Sequence, residues 1–105
     1  MDEHLFYIEQ HIEGIWENNR YSLIISSKKE GEKRLISLIN KETIPNKIFD
    51  LISYINKKGL DYTLTMIDYI NRPMITKEYK LHLDMTNEKL RLSVVGATWD
   101  FEKLY

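Results

Sequence analysis

The chain has 105 residues, 43% of them hydrophobic and 30% charged, with a net charge of −1, two prolines and no cysteine. That length suits one domain, 1–105, able to bury roughly two thirds of the surface its unfolded form exposes. The composition excludes a disordered chain, a disulfide framework and a thiolate metal site, and no apolar run approaches the roughly 20 residues that span a bilayer.

The charge is unevenly spread. Residues 1–19 carry five acids and no Lys or Arg, residues 20–58 carry nine bases against four acids, and the remainder is nearly balanced. Such asymmetry marks either a charged partner or an acidic segment lying against its own basic neighbour.

In chain order, Leu5, Ile8, Ile12, Ile15 and Trp16 recur at threes and fours. This predicts a helix over 3–18, capped by Asp2 and ended by Asn18-Asn19. Gly14 inside it costs about 1 kcal/mol relative to alanine. Residues 21–27 and 35–39 are apolar runs flanking a polar turn with a glycine at 31, which predicts a hairpin over 21–40; residues 33–40 are compatible with a helix on propensity alone. A second helix is expected over 43–58. Thr43 would cap it, Pro45 would sit in its first turn, Ile44, Ile48, Leu51, Ile52 and Ile55 would form its stripe, and Gly59 would stop it. Leu60, Tyr62, Leu64 and Met66 alternate with polar residues as a strand does, up to a break at Asn71-Arg72-Pro73. The clearest signal is a hairpin over 79–85 and 89–95, where Leu81, Leu83, Leu90 and Leu92 alternate with His82, Asp84 and Arg91. Gly96 suggests a bulge, and Trp99 and Phe101 continue the alternation. The expected fold is α+β in the order α-β-β-α-β-β-β, an antiparallel sheet of about four or five strands with two helices on one face.

Chemistry is harder to find. Ser26-Ser27 has no adjacent histidine or glycine elbow, and the four glycines are too scattered to cradle a phosphate. His4 and His11 stand two helical turns apart, where one metal ion uses a pair within one turn. No catalytic residue, metal ligand or cofactor is therefore expected. Lys28, Lys29, Lys33 and Arg34 make a charged tip, but Glu30 and Glu32 interrupt it, which weakens a nucleic-acid reading.

The stronger candidates are acids and aromatics. On the expected first helix, Glu9, Glu13 and Glu17 stack at intervals of four beside Phe6, and like charges at that spacing repel. Phe49 lies off the second helix's stripe, and Trp99 and Phe101 crowd the C-terminal residues. Aromatic side chains outside a core are what protein interfaces favour. Phe6, Glu9, Glu13, Glu17, Phe49, Trp99 and Phe101 are thus the candidate partner-binding residues. The helix–hairpin order with an acidic flank resembles small intracellular inhibitor and immunity proteins in topology and composition, without a shared motif. The expectation is a non-enzymatic cytoplasmic module that binds another protein with a basic surface, such as an immunity- or antitoxin-like inhibitor or a phage accessory protein. A homodimer is compatible with it, and neither nucleic acid nor membrane is an expected partner. The alternatives are a nucleic-acid module using the basic hairpin tip, and a small-ligand or enzyme domain whose cavity would gather polar groups.

Overall fold

Period-two alternation runs through far more of the chain than the hairpin where it is most legible. In the computed structural model, which describes residues 3–70 and 74–105, one helix precedes eight strands. The helix is α1 (Glu3–His11). The strands are β1 (Gly14–Glu17), β2 (Tyr21–Glu30), β3 (Lys33–Asn40), β4 (Lys47–Lys58), β5 (Asp61–Asp68), β6 (Ile75–Asp84), β7 (Lys89–Val94) and β8 (Ala97–Lys103). Each strand pairs antiparallel with the next and β8 returns to β1, closing an up-and-down barrel.

The α+β expectation is corrected by this topology: there is one short helix, not two, and a closed eight-stranded barrel, not an open sheet of four or five strands. The expected helix over 43–58 is instead β4 preceded by a loop. Its apparent stripe mixed two faces of a strand. Ile48 and Ile52 share the outer row, while Leu51 and Ile55 share the inner row with Phe49 and Ser53. The segment is rich in isoleucine with Phe49 and Tyr54, residues that fit a pleated surface better than a helix. Gly59 has positive φ at the first central position of the two-residue turn joining β4 to β5, so it starts a hairpin and does not end a helix. Gly31 does the same between β2 and β3, and Gly96 forms the β7–β8 turn, not a bulge.

The first helix is also shorter than its periodicity suggested. It stops at His11, and Gly14 turns the chain into β1 at φ 126°. A Cβ on Gly14 would collide with the carbonyl oxygen of Tyr105, so only glycine permits this close approach. Ile8, Ile12 and Trp16 still converge on one core, as the spacing implied, but Trp16 arrives from a strand. The proposed cap Asp2 and the break at 71–73 lie outside the described residues. The hairpin of β6 and β7 is as expected: Leu81, Leu90 and Leu92 are buried, Leu83 packs half-buried against them, and Lys80 and Arg91 are exposed.

The two ends of the barrel differ. α1 closes the end that carries the β2–β3, β4–β5 and β6–β7 turns, placing Ile8 and Ile12 in the one buried cluster that also holds Leu23, Ile25, Ile36, Leu64 and Leu90. Arg34, on the inner row of β3 and almost fully buried, ties the helix down. Its guanidinium donates to the carbonyls of Glu9 and Ser26, both at 3.1 Å, and lies 3.4 Å from the Glu13 carboxylate. Trp16 Nε1 donates to the Ile12 carbonyl at 2.8 Å. Among the described residues, no helix lies over the opposite end.

Candidate functional site in the barrel mouth

Inward rows near the uncovered end do not fill the barrel. They enclose a cavity of about 220 Å³. Leu23, Leu38, Leu92 and Met66 form aliphatic wall, and Trp99 and Phe101 form aromatic wall. Three residues bring polar atoms: Tyr21 from the start of β2, and Lys77 and Tyr79 from the start of β6. Strand pairing fixes these positions, because Lys77 faces Met66 across β5–β6 and Trp99 faces Leu92 across β7–β8. Tyr79 and Trp99 meet edge to face with centroids 5.8 Å apart. Burial, reinforced by repulsion from Tyr21, pushes the Tyr79 phenol above the ordinary tyrosine range, so it stays a neutral donor near pH 7.

The loops around this mouth are apolar at their tips. Ile44 and Val95 are fully exposed, and Ile70 and Met74 are largely so. At the plugged end, by contrast, the space among Glu9, Ile12, Arg34 and Ser53 is about 10 Å³, below the room one water needs. Wider depressions lie elsewhere, one of about 580 Å³ beside β7 and β8 and one of about 1070 Å³ along the β2–β3 turn. In the first, Arg91 pairs with Asp100 and Lys89 with Glu102; in the second, Lys29 pairs with Glu9 and Arg34 with Glu13 of the segment that follows α1. The mouth combines concavity, apolar wall and a few converging polar groups, which is the pattern of a small-molecule site. Among the described residues no group of three or more His, Asp or Glu is placed to hold a metal ion.

The residues singled out from the sequence divide between the two ends. Trp99 and Phe101 line the mouth cavity, with Phe101 buried. Phe49 faces Leu38 near the same end and remains exposed. Phe6 is exposed on α1 against Tyr7. Glu9, Glu13 and Glu17 do not share a helix flank: Glu9 is on α1, Glu13 follows it and Glu17 ends β1. Each has a basic neighbour within the chain, Lys29 at 2.6 Å, Arg34 at 3.4 Å and Lys41 at 3.6 Å respectively. The acidic N-terminal segment is thus compensated by the basic segment that follows it. Tyr21, Lys77 and Tyr79 were not among the sequence candidates. Lys77 had a signal, since it interrupts the inner row Ile75, Tyr79, Leu81 and Leu83, a row visible only if the strand begins before 79.

Comparison with protein-family models, with curated proteins and with solved structures returned no match.

Proposed function

We propose that this barrel is a binding protein for a small, largely apolar molecule held in the mouth cavity. The observation that carries this reading is the unfilled inner end, where Tyr21, Lys77 and Tyr79 gather on an otherwise apolar wall. Eight strands give an interior just wide enough to be packed solid or to hold one small ligand. This chain does the first at the plugged end and the second at the mouth. The cavity lies below the roughly 300–1,000 Å³ of drug-sized sites, which suits a single ring or a short acyl chain. The exposed aliphatic loop tips give such a molecule an apolar approach.

The protein-binding reading keeps one observation, the exposed Phe6 and Tyr7 on α1. Its acidic half lacks an unsatisfied charge to offer a partner, because Glu9, Glu13 and Glu17 lie beside cations of the same chain. The topological likeness to immunity proteins went with the helix–hairpin order.

Tryptophan fluorescence tests the proposal. Trp99 lines the cavity and Trp16 is buried at the other end. Titration with cyclohexanol or hexanol should change Trp99 fluorescence saturably, an effect that vanishes in Trp99→Phe and persists in Trp16→Phe. Saturating ligand should also raise the melting temperature, since binding only the folded state stabilises it. Unchanged fluorescence and melting across a library of small apolar molecules would remove the proposal.

A further inference from the structure

The inner rows of the barrel carry several cations, and most have work to do within the fold. Arg34 binds two carbonyls and lies beside Glu13. Lys103 donates to the His11 carbonyl at 3.1 Å and sits over the Trp16 ring. Lys57 lies over the ring of Tyr62. Lys77 differs: its row is otherwise apolar or aromatic, it lines the cavity, and its ammonium has no carboxylate within ion-pairing distance among the described residues. Asp68, one inward step nearer the rim, accepts from the Ile70 amide and lies outside the cavity wall. Among the described residues, no acid lines the cavity. A lysine on the inner row of a strand breaks the binary pattern that builds a barrel, and such breaks mark function when nothing in the fold explains them.

Resting on the ligand-binding reading above, we infer that the ligand is a small organic monoanion, a carboxylate on a ring or short acyl body, with Lys77 as its counter-ion. The carboxylate accepts from the Lys77 ammonium at the wet edge of the cavity, and the phenols of Tyr21 and Tyr79 supply further neutral donors. The ring or chain lies against Leu92, Met66 and Trp99. The space is that of on the order of seven water molecules at bulk density, so the body is a single ring or a few carbons.

Three planar isosteres that differ in charge separate this inference from the reading beneath it: benzoate, benzamide and benzamidine. Each is titrated into the full chain and followed by amide chemical shifts of the mouth strands. Benzoate should bind at least tenfold tighter than benzamide, benzamidine should bind weakest, and added salt should narrow the spread. Lys77→Met should abolish the preference of benzoate over benzamide, while Lys77→Arg should retain it. Circular dichroism of both variants should match the wild type, Lys77 being exposed. If benzamide and benzoate bind equally, or if Lys77→Met keeps the preference, the anion inference fails and the cavity reading stands. If none of the three, nor hexanoate and hexanol, shifts any mouth resonance, both fail together.

Discussion

The plugged end and the open end are built from the same strands by opposite uses of the inner row. At the plugged end the row is closed over by Ile8 and Ile12, the remaining space is about 10 Å³, and the buried guanidinium of Arg34 donates to two carbonyls beside the Glu13 carboxylate. At the mouth the space is about 220 Å³, and among the described residues no acid pairs with the Lys77 ammonium. Two inward cations on one barrel thus have different explanations. Arg34 is needed to dock a helix, and Lys77 is not needed by the fold. The lesson is that close packing is concentrated at one end, which leaves the other free to keep an open cavity with polar groups on its wall.

The sharpest way to break that contrast is to remove the same residue type from each end. Trp16→Ala should cost about 3–5 kcal/mol in denaturant unfolding, the range for a buried aromatic, and it also deprives the Ile12 carbonyl of its donor. Trp99→Ala, at the edge of an existing cavity, should cost about 1–2 kcal/mol. Equal losses would mean the mouth is as structural as the plug.

Next comes Arg34→Ala, expected to cost about 2–3 kcal/mol, because two part-buried carbonyls lose their donor. Glu13→Gln should cost well under 1 kcal/mol, since the Glu13 side chain is 35% exposed and water replaces the lost pairing. A larger effect for Glu13 than for Arg34 would show that the ion pair, not the carbonyls, fixes α1.

Tyr79 makes the mouth visible to pH. Its folded-state pKa is raised, so the neutral phenol is favoured by folding. The corresponding stability is fully present below the ordinary tyrosine pKa of about 10 and is lost as pH rises through the raised value. Ultraviolet titration should show one late-ionising tyrosine that disappears in Tyr79→Phe, and the same variant should flatten the alkaline loss of stability. A normal titration for every tyrosine would argue that the mouth is fully solvated.

The smallest expected effect is that of Lys77→Met on the free protein, within about 0.5 kcal/mol, as for other surface changes that break no contact. A loss above 1 kcal/mol would give Lys77 a structural task and erase its difference from Arg34.

Much of this architecture was legible strand by strand, though not as a barrel. β2, β3, β5, β6 and β7 were visible because polar and apolar residues alternate or because turn residues bracket them. β4 was misread because isoleucines occupy both of its faces, and two rows with a period of two, superposed, imitate a period near 3.6. β1 was hidden because four residues are too few for a period, and because Ile12 and Trp16 share a core across a chain reversal that spacing alone cannot show. Closure was invisible in principle, since no local pattern says that β8 meets β1. Within the site, Trp99 and Phe101 stood out as aromatics, but their inward orientation depends on the register of β8. Lys77 went unnoticed because the strand was begun at Tyr79, four residues late, where the surrounding row is not yet evident.

Seven of the eight junctions join neighbours in sequence, so each can zip from its own turn. The eighth joins the two extremities of the fold through the register pairs Trp16–Lys103 and Glu17–Glu102, supplemented by backbone hydrogen bonds from Ile15 to Tyr105 and from Leu104 to Ile15. It is therefore a seam: the junction with the longest loop to close, with no turn to nucleate it and few rungs to hold it. Folding should finish there and transient opening should begin there. Native-state hydrogen exchange would register this as faster exchange at Glu17 than at Leu64, and the reverse order would place the weak line elsewhere.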